Sequence, residues 1–181
     1  ALPIIVAPFL SLSEIGQLRL LERLGQIILF PSLAISPFFN RRFARLRHLS
    51  MAKKRGEISS VSRLYLFLSA PLCLAVVVAS HNTQSLFDIA FSVSMEMITS
   101  FLIANYLVVG SVASVGALNM LYGTAILARV NFVSLILFLI LLNMLSLEFG
   151  FHGILVAICV TYVVRSLLIV ISWRKFATGP M

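Results

Sequence analysis

Residues 41–63 read RRFARLRHLSMAKKRGEISSVSR, and this stretch decides how the rest of the chain is arranged. It holds eight of the fourteen lysine and arginine residues and a single acid, Glu57. Long apolar runs flank it on both sides. A dense block of positive charge between membrane-length segments stays on the cytoplasmic side, where short basic loops accumulate. This basic segment, a cytoplasmic linker, therefore predicts the direction of every membrane span around it.

The composition is that of a membrane protein. The 181 residues are 60% hydrophobic and 11% charged, with a mean hydropathy of +1.06. Soluble domains contain about 25% charged residues, so an all-α integral membrane protein is predicted. The apolar runs are continuous rather than alternating, which argues against a transmembrane barrel. Because the net charge of +8 comes mainly from loops between spans, no nucleic-acid partner is expected.

The apolar runs predict about six helical segments within one transmembrane domain over residues 1–181. These segments cover residues 1–12, 15–39, 64–80, 91–118, 130–147 and 153–172. The first is too short to span a bilayer, which takes about 20 residues, so it is interpreted as a truncated helix.

The basic residues outside residues 41–63 agree with this topology. If that segment lies inside, Arg129, Arg174 and Lys175 also fall inside, and the predicted outer loops at 81–88 and 148–152 contain no Lys or Arg. The distribution predicts a multi-pass protein of the cytoplasmic (inner) membrane with a cytoplasmic C-terminus.

Two local features refine the prediction. Ser13 is a plausible N-cap for the second segment, with Glu14 in the first turn. Within residues 41–57, Phe43 and Leu46 recur at helical spacing, which predicts an amphipathic helix on the membrane surface that ends at Gly56.

Arg165 is the clearest candidate for function, because ionisable groups at membrane depth are usually functional. It lies eight residues before Trp173, or about 12 Å inside the inner end of its helix. Two interpretations stay open. The guanidinium either faces a water-filled cavity that binds anions, or it extends along the helix to the inner headgroups.

Four further residues are candidates for lining such a cavity. Arg19, Glu22 and Arg23 share one face of the second segment and lie either in the cavity or at the outer surface. Asn105 is either a substrate ligand or a hydrogen-bonding group between helices.

Enzyme signatures are absent from the sequence. No GxSxG, HExxH or P-loop pattern occurs, and Asp88 is the only aspartate. Cys73 and Cys159 lie in apolar runs without metal-binding spacing. No catalytic residue, metal site or cofactor is therefore predicted, and the protein is expected not to be an enzyme.

Four stretches carry a resemblance to a known family. They are SEIGQL at 13–18 with Arg23-Leu24, FPSLAISPFFNRRFARL at 30–46, the set Asn119, Gly123, Arg129 and Asn131, and EFGFHG at 148–153 with Ala157 and Thr161. In this order they resemble the C-terminal half of the polysaccharide-biosynthesis flippases. These are lipid-linked oligosaccharide (O-antigen type) translocases of the MOP/MATE-like superfamily. Arg19, Glu22 and Arg165 stand where the family more often has uncharged residues.

The resemblance implies one lobe of a two-lobe transporter whose N-terminal lobe is missing here. The expected function is translocation, by alternating access, of a polyprenyl-pyrophosphate-linked oligosaccharide, the repeat unit of a polysaccharide or O-antigen. Arg23 and Arg165 would supply positive charge for the pyrophosphate. Membrane lipid, a glycan polymerase and glycosyltransferases are the expected partners. The alternatives are a multidrug or metabolite exporter of the same superfamily and a non-catalytic membrane subunit of a glycan-assembly complex.

Overall fold

The protein is a bundle of long helices. The computed structural model describes residues 5–87 and 94–176. Its long helices are α1 (Leu12–Arg45), α2 (Met51–Phe87), α3 (Met95–Tyr122) and α4 (Ala125–Phe176), and short 3₁₀ turns cover Ala7–Phe9 and Leu46–His48. Three helices, α2, α3 and α4, are long and apolar enough to cross a membrane. The predicted all-α membrane class is therefore confirmed.

Helix α4 folds back on itself at Gly150. The φ of 54° and ψ of −131° at this residue lie outside the helical region, and glycine adopts a positive φ at little cost. Arg165 Nε donates a hydrogen bond of 2.9 Å to Asn131 Oδ1, although 34 residues separate them. A straight helix would hold them about 50 Å apart. Residues 125–149 (arm α4a) and 151–176 (arm α4b) are therefore antiparallel, which confirms the predicted turn at 148–152.

Helix α3 forms the centre of the bundle. It packs against α1, α2 and α4, and 61% of its most apolar stretch is buried, against 22% for α2. Small residues permit this close packing: Ala113 and Ala117 are buried, and a Cβ on Gly116 would meet Asn40 Oδ1 and the Phe43 ring of α1. This is the close contact that small residues four apart predict.

Large apolar side chains point outward from the bundle. Examples exposed on α1, α2 and α4 are Phe30, Phe38, Phe67, Phe132 and Leu147. A soluble protein rarely exposes apolar area on this scale. The outer surface therefore matches a lipid environment.

Most of the charges lie at one or the other end of the bundle. Ser62 bonds to the Gly110 carbonyl and Tyr106 to the Leu66 carbonyl, so α2 and α3 are antiparallel and the C-terminal end of α3 lies where α1 joins α2. The rings of Tyr122 and Trp173 lie 6.3 Å apart, which brings the C-terminal end of α4b to the same end. Arg129, Arg174 and Lys175 therefore lie at the same end as residues 41–63, called here the basic end. At the opposite end, the described residues around Ser11, Ser94 and Gly150 include three glutamates and no Lys or Arg.

Helix α1 begins two residues earlier than its predicted cap implies. Ser11, not Ser13, is the N-cap: its Oγ accepts a hydrogen bond from the Glu14 backbone N–H at 3.3 Å. The Glu14 carboxylate in turn accepts from the Ser11 N–H at 2.7 Å. This capping box requires its two residues to be three positions apart, a spacing that Ser13 and Glu14 do not have.

No separate surface helix forms within residues 41–57, which corrects that prediction. Helices α1 and α2 leave only residues 46–50 between them, and Gly56 lies inside α2 instead of ending a helix. Phe43 and Leu46 are buried in the bundle. Their apolar side chains pack against protein and not against the membrane surface. The basic segment is thus the joined ends of two long helices.

Two predicted loops are shorter in the structure. Helix α2 continues to Phe87, through most of the polar stretch predicted as a loop. Helix α3 begins at Met95 rather than at residue 91, and residues 88–93 lie outside the described residues. The loop predicted at 119–129 shrinks to a break at Gly123, whose φ is 81°. Leaving the apolar region does not end a helix, because water-exposed turns keep their internal hydrogen bonds.

Candidate functional site

A cavity of about 230 Å³ lies between the two arms of α4. Phe138 and Ile158 contribute its apolar wall, and its polar groups include Asn131, Tyr162 and Arg165. The antiparallel arms place Asn131 and Arg165 toward the basic end and the apolar pair toward the Gly150 turn. The site is therefore an apolar pocket with a charged group on one side, a composition that suits an amphipathic anion.

Arg165 lies well inside the apolar length of its arm. At 1.5 Å per residue it is about 22 Å from Gly150 and about 13 Å from Arg174. Its Nε bonds to Asn131, and the structure shows no further hydrogen bond for this guanidinium within residues 5–87 and 94–176. The guanidinium is planar, with donors in a fixed fork that matches phosphate geometry. Asn131 thus holds one edge, and the terminal nitrogens remain available to an anion.

Helix α1 brings a second group of charges to the same level of the bundle. Arg19 and Arg23 flank Glu22 and act electrostatically on its carboxylate. The Tyr162 side chain of α4b lies close enough to both Glu22 and Arg165 to feel their charges. The structure thereby links the predicted residues of α1 to Arg165 through Tyr162. Glu22 is half-buried, whereas Arg19 and Arg23 are exposed.

Asn105 occupies a different position, in the contact between α1 and α3. Its Nδ2 donates to the Phe101 carbonyl at 2.9 Å, and a Cβ on Gly25 would overlap its side-chain amide. The side chain is buried and does not line the cavity between the α4 arms. Asn105 therefore holds α1 and α3 together outside the cavity. It lies near the cavity's edge, because the ring of Phe101, whose carbonyl it bonds, lies 6.3 Å from the ring of Tyr162.

Two residues of this site were not selected as candidates from the sequence. From the sequence, Asn131 is either a hydrogen-bonding group between helices, the favoured interpretation, or a substrate ligand, and Tyr162 carries no prediction. A signal was present for Asn131, because it and Arg165 are 34 residues apart and their midpoint is Glu148, inside the predicted turn. A hairpin centred there places the two residues opposite each other.

Comparisons with known proteins add no assignment. No protein-family model, curated protein or solved structure matches the chain. The polar groups of the site include three arginines, one glutamate, an amide and a phenol. These groups can bind and orient an anion. Within the described residues there is no cluster of three or more metal-ligating side chains.

Replacing Asn131 tests whether the amide positions Arg165. We expect Asn131→Ala to lower the free energy of unfolding in detergent by about 1 kcal/mol, the size of hydrogen bonds between membrane helices. In an Arg165→Met background the same change should cost much less, because methionine has no hydrogen-bond donor for Asn131. Asn143→Ala, an exposed amide on the same arm, is the matched control. Equal costs of Asn131→Ala in both backgrounds would contradict the assignment.

Proposed function

We propose that this chain belongs to a flippase that moves a polyprenyl-pyrophosphate-linked oligosaccharide across the cytoplasmic membrane by alternating access. One observation carries the proposal: Arg165, fixed at Nε by Asn131, directs its free donors from within an apolar hairpin. Arg19 and Arg23 add positive charge at the level of the same site, against one carboxylate, Glu22.

The substrate class follows from the chemistry of the site. Sugars and a pyrophosphate cannot enter lipid unaided, since each unpaired polar group there costs several kcal/mol. A transporter must replace the lost hydration with fixed donors, and arginine forks suit phosphate oxygens. The apolar wall at Phe138 and Ile158 is compatible with the polyprenyl part of the same molecule.

The proposed topology has six segments and one lobe of a two-lobe transporter. Five of the segments are α1, α2, α3, α4a and α4b, and the residues before Ser11 belong to the sixth. The basic end is placed in the cytoplasm, since the Lys and Arg bias sets orientation. The partner lobe would face Arg165 and Arg23 across the substrate path.

The charge of the site favours this proposal over the first alternative. A multidrug exporter for cationic compounds would need a cavity dominated by acids, whereas here arginines outnumber Glu22 by three to one.

The second alternative is separated by function and not by charge. A non-catalytic subunit of a glycan-assembly complex would give no transport when purified. In the proposed role the chain performs no chemistry, and glycosyltransferases and a polymerase supply and consume the lipid-linked glycan.

The decisive experiment is transport in vesicles. The full-length protein is reconstituted with a fluorescent polyprenyl-pyrophosphate oligosaccharide, and the substrate that reaches the opposite leaflet is measured with a quencher that does not cross membranes. We expect translocation faster than in protein-free vesicles. A neutral analogue, in which an ether replaces the pyrophosphate, should not be moved.

Each control distinguishes the flippase proposal from one alternative. Equal transport of the neutral analogue would overturn the role of the arginines, and no acceleration at all would overturn the flippase proposal. Efflux of a cationic dye by the same vesicles, without transport of the glycan, would indicate the exporter instead.

A further inference from the structure

A groove of about 320 Å³ lies between α1 and α2 near the basic end. Its lining divides into an apolar part, formed by Phe39, Val61 and Leu64, and a polar part that includes Arg42, Glu57 and Ser60. A Cβ on Gly56, also in the lining, would meet no atom within 4 Å, so the polar part is open. The groove is distinct from the cavity between the α4 arms, and the inference from it does not rest on the proposed function.

The position of the groove matches the boundary between lipid tails and headgroups. Phe38 and Phe67, each 76% exposed, present apolar rings outward just on the bundle side of the groove. Within one turn the exposed side chains become Arg41 and Arg63. Apolar rings followed by basic side chains mark a membrane interface. The apolar part of the groove therefore adjoins acyl chains, and the polar part adjoins headgroups.

The ion pair at the polar part is open to exchange. Arg42 Nη2 lies 2.7 Å from Glu57 Oε2, and the two side chains are 56% and 32% exposed. Solvent-exposed pairs of this kind contribute little to stability. A phosphodiester can therefore take the place of the carboxylate on Arg42 without disrupting the fold.

The surrounding field attracts anions. Four further cations around the groove and the α1–α2 connection are exposed: Arg41, Arg45, Lys53 and Arg63. Basic clusters of this size next to a membrane helix attract acidic lipids. Among the described residues of the basic segment, the only acid is Glu57, which already bonds Arg42.

We propose that this groove binds the headgroup of an acidic phospholipid. Arg42 leaves Glu57 to bind the phosphodiester, and the Ser60 hydroxyl donates to a second phosphate oxygen. The glycerol and the first acyl carbons lie over Phe39, Val61 and Leu64. Glu57 acts as a competitor that occupies Arg42 when no acidic lipid is bound.

The test is lipid-dependent stabilisation of the full chain in neutral detergent, measured by thermal unfolding during titration with phosphatidylglycerol. We expect phosphatidylglycerol to raise the unfolding temperature and phosphatidylcholine to do so less, because it lacks net charge. Arg42→Gln should raise the apparent Kd for phosphatidylglycerol about fivefold, the contribution of one cation near an anionic lipid. Glu57→Gln should lower it, since the competing carboxylate is gone.

The opposite signs of these two variants distinguish binding from a general loss of stability. Arg174→Gln, an exposed arginine at the same end, should leave the apparent Kd unchanged. Equal stabilisation by both lipids, or a weaker affinity in Glu57→Gln, would overturn the proposal. Inorganic phosphate that protects as well as phosphatidylglycerol would overturn it too, because the groove would then be a site for free anions.

Discussion

Arg165→Gln is expected to slow translocation of the pyrophosphate-linked glycan by about tenfold or more, with little change in the amount of folded protein. Glutamine keeps the length and some hydrogen bonding, but it removes the charge and the fork of donors. A hydrogen bond to a charged group is worth about 1.5–3 kcal/mol, and 1.4 kcal/mol is a factor of ten. Initial rates in the vesicle assay measure the effect.

Two variants control this result. Arg174→Gln removes an arginine from the same arm at the basic end, outside the cavity, and should transport at the rate of the unchanged protein. Arg165→Lys keeps the charge without the fork and should be intermediate, because phosphate recognition by arginine depends on both. Wild-type rates in an Arg23→Gln, Arg165→Gln double variant would refute the role of these side chains.

Gly153→Ala is expected to destabilise the hairpin of α4 by about 3 kcal/mol, at the upper end of overpacking effects. A Cβ at this position would overlap the carbonyl oxygen of Leu145 in the opposite arm. The obstacle is backbone, so no change of side-chain conformation can relieve it. The arms must separate, and the bond between Asn131 and Arg165 should weaken with them. Unfolding by denaturant in detergent measures the loss.

Gly16→Ala is the matched control for this substitution. Gly16 also lies in a helix, but a Cβ there would meet nothing within 4 Å. Alanine is the better helix former by about 1 kcal/mol, so this variant should be as stable as the original protein or more stable. If Gly153→Ala and Gly16→Ala behaved alike, the close approach of the two arms would be wrong.

The course of the chain could be predicted from sequence where polar residues interrupt apolar runs. Glu148, Gly150 and His152 stand between two such runs, and the chain does fold back at Gly150. The ends of helices were harder to predict. Polar residues at 81–87 leave the apolar region yet stay helical, because a helix satisfies its backbone in water as well as in lipid.

The sequence predicts the charged residues of the candidate site but not the partner of Arg165. Arg165 stands out because a charge within an apolar run is expensive. Its partner does not stand out, since lipid-facing and protein-facing sides of a membrane helix are equally apolar and periodicity does not show which way a side chain points. The pairing with Asn131 depends on the register of two arms, which the turn at Gly150 sets.

Asn105 and Arg23 also show that the sequence does not reveal which way a side chain points. Both are polar groups in or near apolar segments, and the sequence treats them alike. The structure buries Asn105 against Gly25 and leaves Arg23 exposed. The difference arises from the rotation of α1 and α3 about their axes, which is fixed by contacts with distant parts of the chain.

The central place of α3 also bears on biogenesis. Contacts between α1 and α2 are less extensive than those that either makes with α3, and α3 is synthesised after both. Helices α1 and α2 must therefore remain in the bilayer as a loose pair until their main packing surface leaves the ribosome. A nascent chain halted before residue 95 would be the most vulnerable to membrane quality-control proteases, and release of α3 would end that exposure.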